Sequence, residues 1–214
     1  MAFALRMMDP IERSGLSTLV CLVRDEFSLY CARYMGELIP STVLTAESTD
    51  DAVRLLQSRS GEGLLTAPAT IRDAYLDDRL DHAGRTMQAA FLPVTLKTGG
   101  LIVGPLLGTG RSCQRCWRSR GEHLLDFDST VTKLGQTGSV NTAAFLAAAM
   151  VGEVSRTQSP PFTSTFWKFD AARGEASWGM LTSSPQCEQC TRAFQRRRNS
   201  EALNIVLRLC PEAR

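Results

Sequence analysis

Two short motifs, Cys113-Gln114-Arg115-Cys116 and Cys187-Glu188-Gln189-Cys190, constrain this chain more than any other feature of its 214 residues. A CxxC knuckle presents two thiolates to one metal ion, and two knuckles complete a tetrahedral shell. The 70 residues between the pairs far exceed the spacing of a compact zinc ribbon, so a shared metal would close a long loop instead of folding a finger by itself. Four thiolates leave no open coordination position for water, which makes such a metal structural. Two other readings stay open: a redox-active dithiol, and cysteines that are unrelated to one another. The redox reading is disfavoured because neither pair directly follows a strand in the β-α arrangement of thioredoxin-like motifs. One zinc ion shared by Cys113, Cys116, Cys187 and Cys190 is the expectation. Cys21 and Cys31 read as core residues, and nothing is assigned to Cys210.

The rest of the chain suits a protein with reduced thiols. Arg6, Asp9, Pro10, Glu12 and Arg13 interrupt the first twenty residues, so no apolar segment of a secretory signal is present and the cytoplasm is the expected location. The longest apolar run, Ala143 to Gly152, has ten residues, about half of the ~20 needed to span a bilayer, and reads as a buried helix. No membrane partner is expected. With 24 basic and 22 acidic residues the formal charge is only +2, so no overall field favours nucleic acid or an anionic surface.

Ahead of the first knuckle the pattern alternates. Leu16 to Val23 is a nearly continuous apolar run, the signature of a strand covered on both faces. Asp25 caps the helix that follows, in which Phe27, Tyr30, Cys31, Tyr34 and Leu38 recur at helical steps until Pro40. Ser41 to Ala46 reads as a second strand, and Thr49 to Arg59 as a second helix with Val53, Leu55 and Leu56 inward. Gly63 to Ala67 reads as a third strand, and Ile71 to Arg85 as a third helix carrying Ile71, Ala74, Tyr75 and Leu80. This β-α alternation predicts an α/β fold with a mostly parallel sheet. From Gln88, two apolar runs flank Lys97-Thr98-Gly99-Gly100 and predict a hairpin, with Pro93 marking an edge or a bulge. A polar stretch over 118–138 leads to an alanine-rich helix starting near Ser139. Phe162 to Phe169 and Ala176 to Leu181 form a second strand pair ahead of the second knuckle. The expected organisation is 1–87 as β-α units, 88–190 as the hairpin, helix and metal-bound portion of the same domain, and 191–214 as a basic and apolar tail. In that tail, Leu203, Ile205, Val206, Leu207 and Leu209 suffice for a short strand or helix packed on the domain or across a dimer.

Val103-Gly104-Pro105, Gly110, Ser112, the first knuckle and Arg120 follow one another in an order that resembles the ubiquitin-activating-enzyme-like (ThiF-like) partner proteins of thiazole/oxazole-modified microcin biosynthesis. In that family a glycine-proline strand leads into CxxC, an alanine-rich helix follows, and a second CxxC comes near the C-terminus. The matching stretch runs from about Gln88 to Cys190, and the preceding units fit the family's nucleotide-fold core. The resemblance implies a degenerate Rossmann-like sheet with a C-terminal zinc-stapled α+β portion. It also implies a non-catalytic scaffold that binds a precursor peptide and a YcaO-type cyclodehydratase, which uses ATP to turn Cys, Ser or Thr into azolines. An FMN-dependent dehydrogenase often joins the complex, so ATP and FMN are expected on partner subunits and only zinc on this chain. No catalytic residue is assigned. Adenylating relatives carry a glycine-rich loop after the first strand, where backbone amides and a helix N-terminus hold phosphates. This chain has Val23-Arg24-Asp25-Glu26 there, two carboxylates that repel ATP. With about fifteen residues before the first strand, the roughly eighty-residue winged-helix-like domain of many family members is expected to be missing, which leaves leader binding to another chain or surface.

Arg111, Arg115, Arg118 and Arg120 surround the first knuckle together with Trp117, and Arg192, Arg196, Arg197 and Arg198 follow the second. A shared metal would bring both patches onto one partner-binding surface, although a solvated turn has the same composition. His82 and His123 read as surface or hydrogen-bonding residues. Two further functions remain: an active ATP-dependent adenylating enzyme acting on a peptide or carrier protein, and a nucleic-acid-binding zinc protein. Net charge disfavours the last.

Overall fold

The computed structural model describes residues 18–58, 63–71, 73–87, 89–97, 99–108, 112–120, 137–156, 163–171, 173–184 and 186–190. Strand β1 (Thr18–Leu22) is buried at all five positions. Its side chains alternate between two cores: Leu19 and Cys21 join one cluster, Val20 and Leu22 the other. Burial on both faces is why the segment reads as continuously apolar instead of alternating.

Helix α1 (Glu26–Leu38) starts at Asp25 through a capping box with Ser28 and buries Phe27, Cys31, Ala32 and Met35. Strand β2 (Thr42–Ala46) and helix α2 (Thr49–Gln57, capped by Ser48) follow, then β3 (Gly63–Ala69) and helix α3 (Ala74–Thr86, capped by Asp73). Within α2, Leu56 is buried while Val53 and Leu55 are half-buried. The cap at Asp73 changes the inward face expected for α3. Ile71 precedes the helix and is 83% exposed, and Tyr75 lies on the solvent side at 73%. The buried stripe is instead Asp77, Leu80, Asp81 and Gly84, at steps of three and four.

Strands β4 (Ala90–Lys97) and β5 (Gly100–Val103) form the expected hairpin around Gly99, whose φ of 92° a glycine accommodates without strain. Pro93 does not lie on an edge strand, because β4 pairs with β3 on one side and β5 on the other. It does lie at a bulge. Between the pairs Val94–Val103 and Phe91–Leu107, two residues of β4 face three of the partner, and the Gly104 N–H donates to the Pro93 carbonyl at 2.7 Å. A missing proline N–H is tolerated where the ladder is already interrupted.

Helix α4 (Gln114–Arg120) carries the first knuckle, and the alanine-rich helix α5 (Thr137–Arg156) leads to β6 (Thr163–Asp170) and β7 (Glu175–Thr182). The seven strands form one sheet in the order β2-β1-β3-β4-β5-β6-β7. β1 to β4 are mutually parallel and β5, β6 and β7 alternate, so β1 to β4 and β6, five of the seven, run the same way. Helices α1 and α5 share a core on one face, where Ala143, Ala144, Ala147 and Ala148 let α5 approach closely. Helices α2 and α3 cover β1, β3 and β4 on the other face, and the knuckles cover β5, β6 and β7. Cys21 and Cys31 lie fully inside the first core, as read from the sequence, and burial pushes the Cys21 thiol up to about 12. No helix among the described residues is long and apolar enough to cross a membrane.

Candidate metal centre

The four knuckle cysteines meet. Their sulfurs all lie within 4.8 Å of one another, with Cys113 Sγ 3.5 Å from Cys187 Sγ and Cys116 Sγ 3.6 Å from Cys190 Sγ. Four sulfurs at about 2.3 Å from a central zinc stand ~3.8 Å apart, so the cluster has the dimensions of a tetrathiolate shell. Each of these contacts joins one sulfur of the first pair to one of the second. The cysteines sit against Ile102 of β5, Phe166 of β6, Leu181 of β7 and Trp117 of α4. All four are less than a tenth exposed, which excludes water from the centre.

The surroundings favour a cation. The Ser184 N–H points at Cys116 Sγ (3.4 Å), and the Cys116 amide does the same for Cys113, as backbone amides do around bound thiolates. Without a positive charge Cys113 and Cys116 resist ionisation. A hydrogen bond to Cys190 and burial push Cys113 up, and burial followed by the Cys113 charge pushes Cys116 up. A divalent ion supplies the charge that would let all four ionise. The residues present therefore fit one metal ion, bound by Cys113, Cys116, Cys187 and Cys190.

Trp117 is not part of an exposed cluster with the arginines. Its ring is fully buried and packs on Phe166 at a centroid distance of 5.2 Å. Cys113 immediately precedes α4, and Cys116 and Trp117 follow at i+3 and i+4, so all three lie on one inward side at the head of the helix, a spacing already present in the sequence. Arg115 is exposed, and Arg118 forms an ion pair with Asp78 of α3. Arg115, Arg118 and Ser119 line an open groove of about 650 Å³ with Asp78, the exposed His82 and Gln189 of the second knuckle. Arg111, Arg192, Arg196, Arg197, Arg198, the side chain of Arg120, His123, Cys210 and the apolar tail lie outside the described residues.

Sequence reading missed a buried polar set behind the first knuckle. Asp81, 2% exposed, pairs with Arg85 at 3.0 Å and accepts the Gln114 N–H at 3.0 Å, while Arg85 Nη2 donates to the Ser112 carbonyl at 2.9 Å. Burial raises the Asp81 carboxyl above its ordinary value, against the pull of Arg85 and the Gln114 amide. Ser112 Oγ donates in turn to the Leu181 carbonyl of β7 (3.0 Å). The available signal was the run Asp77, Asp81, Arg85 at four-residue steps on the same side as Leu80.

At the carboxyl ends of β1 and β3, where crevices of parallel α/β sheets take ligands, the α1 N-terminus is occupied by its own side chain. The Ser28 N–H donates to Asp25 Oδ1 at 2.7 Å, and the Thr70 N–H and hydroxyl donate to Oδ2 at 3.2 and 3.1 Å. The adjacent Arg24 and Asp73 are 3.9 Å apart.

No protein-family model matches the chain, and no curated protein matches it in sequence. Solved structures match in fold. A structure of the heterocyclase TruD superposes on 83% of this chain with a TM-score of 0.53 and 13% identity, and a heterocyclase in complex with substrate and cofactor does so with a TM-score of 0.55 and 10% identity. E. coli MccB with MccA matches 83% of the chain with a TM-score of 0.52 and 13% identity. The chain spans 27% and 26% of the two heterocyclase chains and 67% of MccB. At these identities the likeness establishes the fold, the same one implied by the motif order around the first knuckle.

Proposed function

We propose that this chain is a zinc-stapled, non-catalytic scaffold subunit of a YcaO-type cyclodehydratase and FMN-dependent dehydrogenase complex that installs azoline or azole rings in a ribosomal peptide. The observation that carries the reading is Asp25. Its carboxylate takes the amide of Ser28 at the head of α1, where a nucleotide phosphate would need free N–H groups and no competing negative charge. A nucleotide-type fold closed in this way is suited to holding partners. Its likeness in fold to two heterocyclase structures and to an MccB–MccA complex supports a role in peptide modification. The four-cysteine centre, with every position taken by thiolate, serves architecture, and its need for reduced thiols fits the cytoplasm.

ATP and FMN belong to the partner subunits in this reading. The precursor peptide and the cyclodehydratase engage the surface around the knuckles, where Arg115 and Arg118 line the groove and Arg111, Arg120, Arg192, Arg196, Arg197 and Arg198 are near in sequence. Co-expression with the cyclodehydratase, dehydrogenase and precursor peptide of its gene neighbourhood should yield a complex that co-purifies. Elution of the chain free of all three would overturn the proposal.

The parallel β-α-β arrangement of a nucleotide-type sheet favours a second reading, an adenylating enzyme acting on a peptide or carrier protein. Pyrophosphate release from ATP and candidate peptides separates the two, and this chain alone is expected to release none.

A further inference from the structure

The ligand Cys113 is gripped from both sides by an ion pair of a different helix. The peptide carbonyl before it, on Ser112, accepts from Arg85 Nη2 at 2.9 Å, and the amide after it, on Gln114, donates to Asp81 Oδ2 at 3.0 Å. The other carboxylate oxygen of Asp81 holds Arg85 Nε at 3.0 Å, so the two side chains brace each other. Gln114 Nε2 also lies 3.4 Å from Asp77 Oδ2. Both α3 side chains are largely removed from water, at 2% and 11% exposure, where such hydrogen bonds are strong and a lost partner is costly. Ser112, fully buried, carries the same constraint to β7 through its bond to the Leu181 carbonyl, just ahead of the Ser184 turn that leads into Cys187.

We infer that Asp81 and Arg85 are positioning residues for the metal centre: they hold the backbone around Cys113 in its ligating conformation before the ion arrives and so raise metal affinity. The inference rests on the four-cysteine metal reading. Neither residue is a ligand, and both sit on the β-α part of the chain, so what they contribute is the pair of hydrogen bonds to the peptide groups flanking Cys113. Outer-shell groups that orient metal ligands act in the same manner, typically at a cost of ten- to hundredfold in affinity when removed.

Zinc competition against a chromophoric chelator, and cobalt titration read through the thiolate charge-transfer bands, measure this on the purified chain. Asp81→Asn, which keeps the volume but loses the charge, should weaken binding by roughly tenfold or more while leaving the shape of the cobalt spectrum unchanged, because all four sulfurs remain. Leu80→Ala supplies the control. It removes a buried side chain of the same helix that faces the other core and does not touch the knuckle, so it should lower stability and leave affinity unchanged. Asp81→Asn binding as tightly as the wild type, or Leu80→Ala weakening binding equally, would overturn the inference. Arg85→Lys, which cannot reach both Asp81 and the Ser112 carbonyl with a planar fork, carries the same comparison with a milder change. Should the wild-type chain take up neither zinc nor cobalt, the metal reading itself fails; tight wild-type binding with unchanged variants removes only the role of α3.

Discussion

At the scale of single residues, Asp25 fixes the head of α1. It caps α1 and ties the β1–α1 turn to Thr70 after β3. Asp25→Ala should cost about 0.5–2 kcal/mol, the usual range for a lost cap, read as a lower denaturant midpoint with an unchanged slope. Burial alone would raise the Asp25 carboxyl, but hydrogen bonds from Ser28 and Thr70 more than reverse this, so it ionises below its ordinary value of 3.8. A carboxyl depressed in the folded state stabilises the protein above its unfolded value, and that contribution is lost as the pH falls through the folded one. The wild type should therefore lose stability more steeply than Asp25→Ala below about pH 4, and parallel acid limbs for the two proteins would contradict the assignment. The cysteines and the Asp25 cap were legible in the sequence, because spacing and capping are local. The burial of Trp117 was legible in principle from its i+4 relation to Cys113, but a neighbourhood of arginines concealed it.

At the scale of elements, helix and strand identity followed from periodicity except in the short α4, while faces and edges did not. The third helix shows why. Its apolar candidates Ile71 and Tyr75 face solvent, and Asp77 and Asp81 face inward, because α4 and the first knuckle supply hydrogen-bond partners that only packing brings near. Strand β7 makes a complementary point. Its Gly179 is required by the ring of Phe166, which would lie 2.6 Å from an added Cβ. Gly179→Ala should cost on the order of 1–3 kcal/mol as an overpacking change, and by displacing Phe166 it should alter the fluorescence of the neighbouring Trp117. An alanine variant with wild-type stability and emission would show that the sheet yields there at no cost.

At the scale of the whole molecule, the knuckles join α4 to the chain beyond β7 on one face of the sheet, while α1 and α5 close the other. The sheet runs through both portions, so loss of the metal should not unfold the chain as a unit. Chelation, or Cys187→Ser, should speed amide exchange in α4, β7 and residues 186–190 and leave β1, β3 and β4 slow. Uniform acceleration, or none, would contradict the staple. The sequence by itself determined the β-α alternation, the hairpin, the alanine-rich helix and the paired cysteines, because side-chain period, turn chemistry and CxxC spacing are properties of a few adjacent residues. Only the tertiary structure decided that Pro93 lies at a bulge in a central strand and that Asp81 and Arg85 hold the peptide groups on either side of Cys113. Each of these depends on groups well separated in the chain, whose polar atoms and volumes are matched only once the sheet has brought them together.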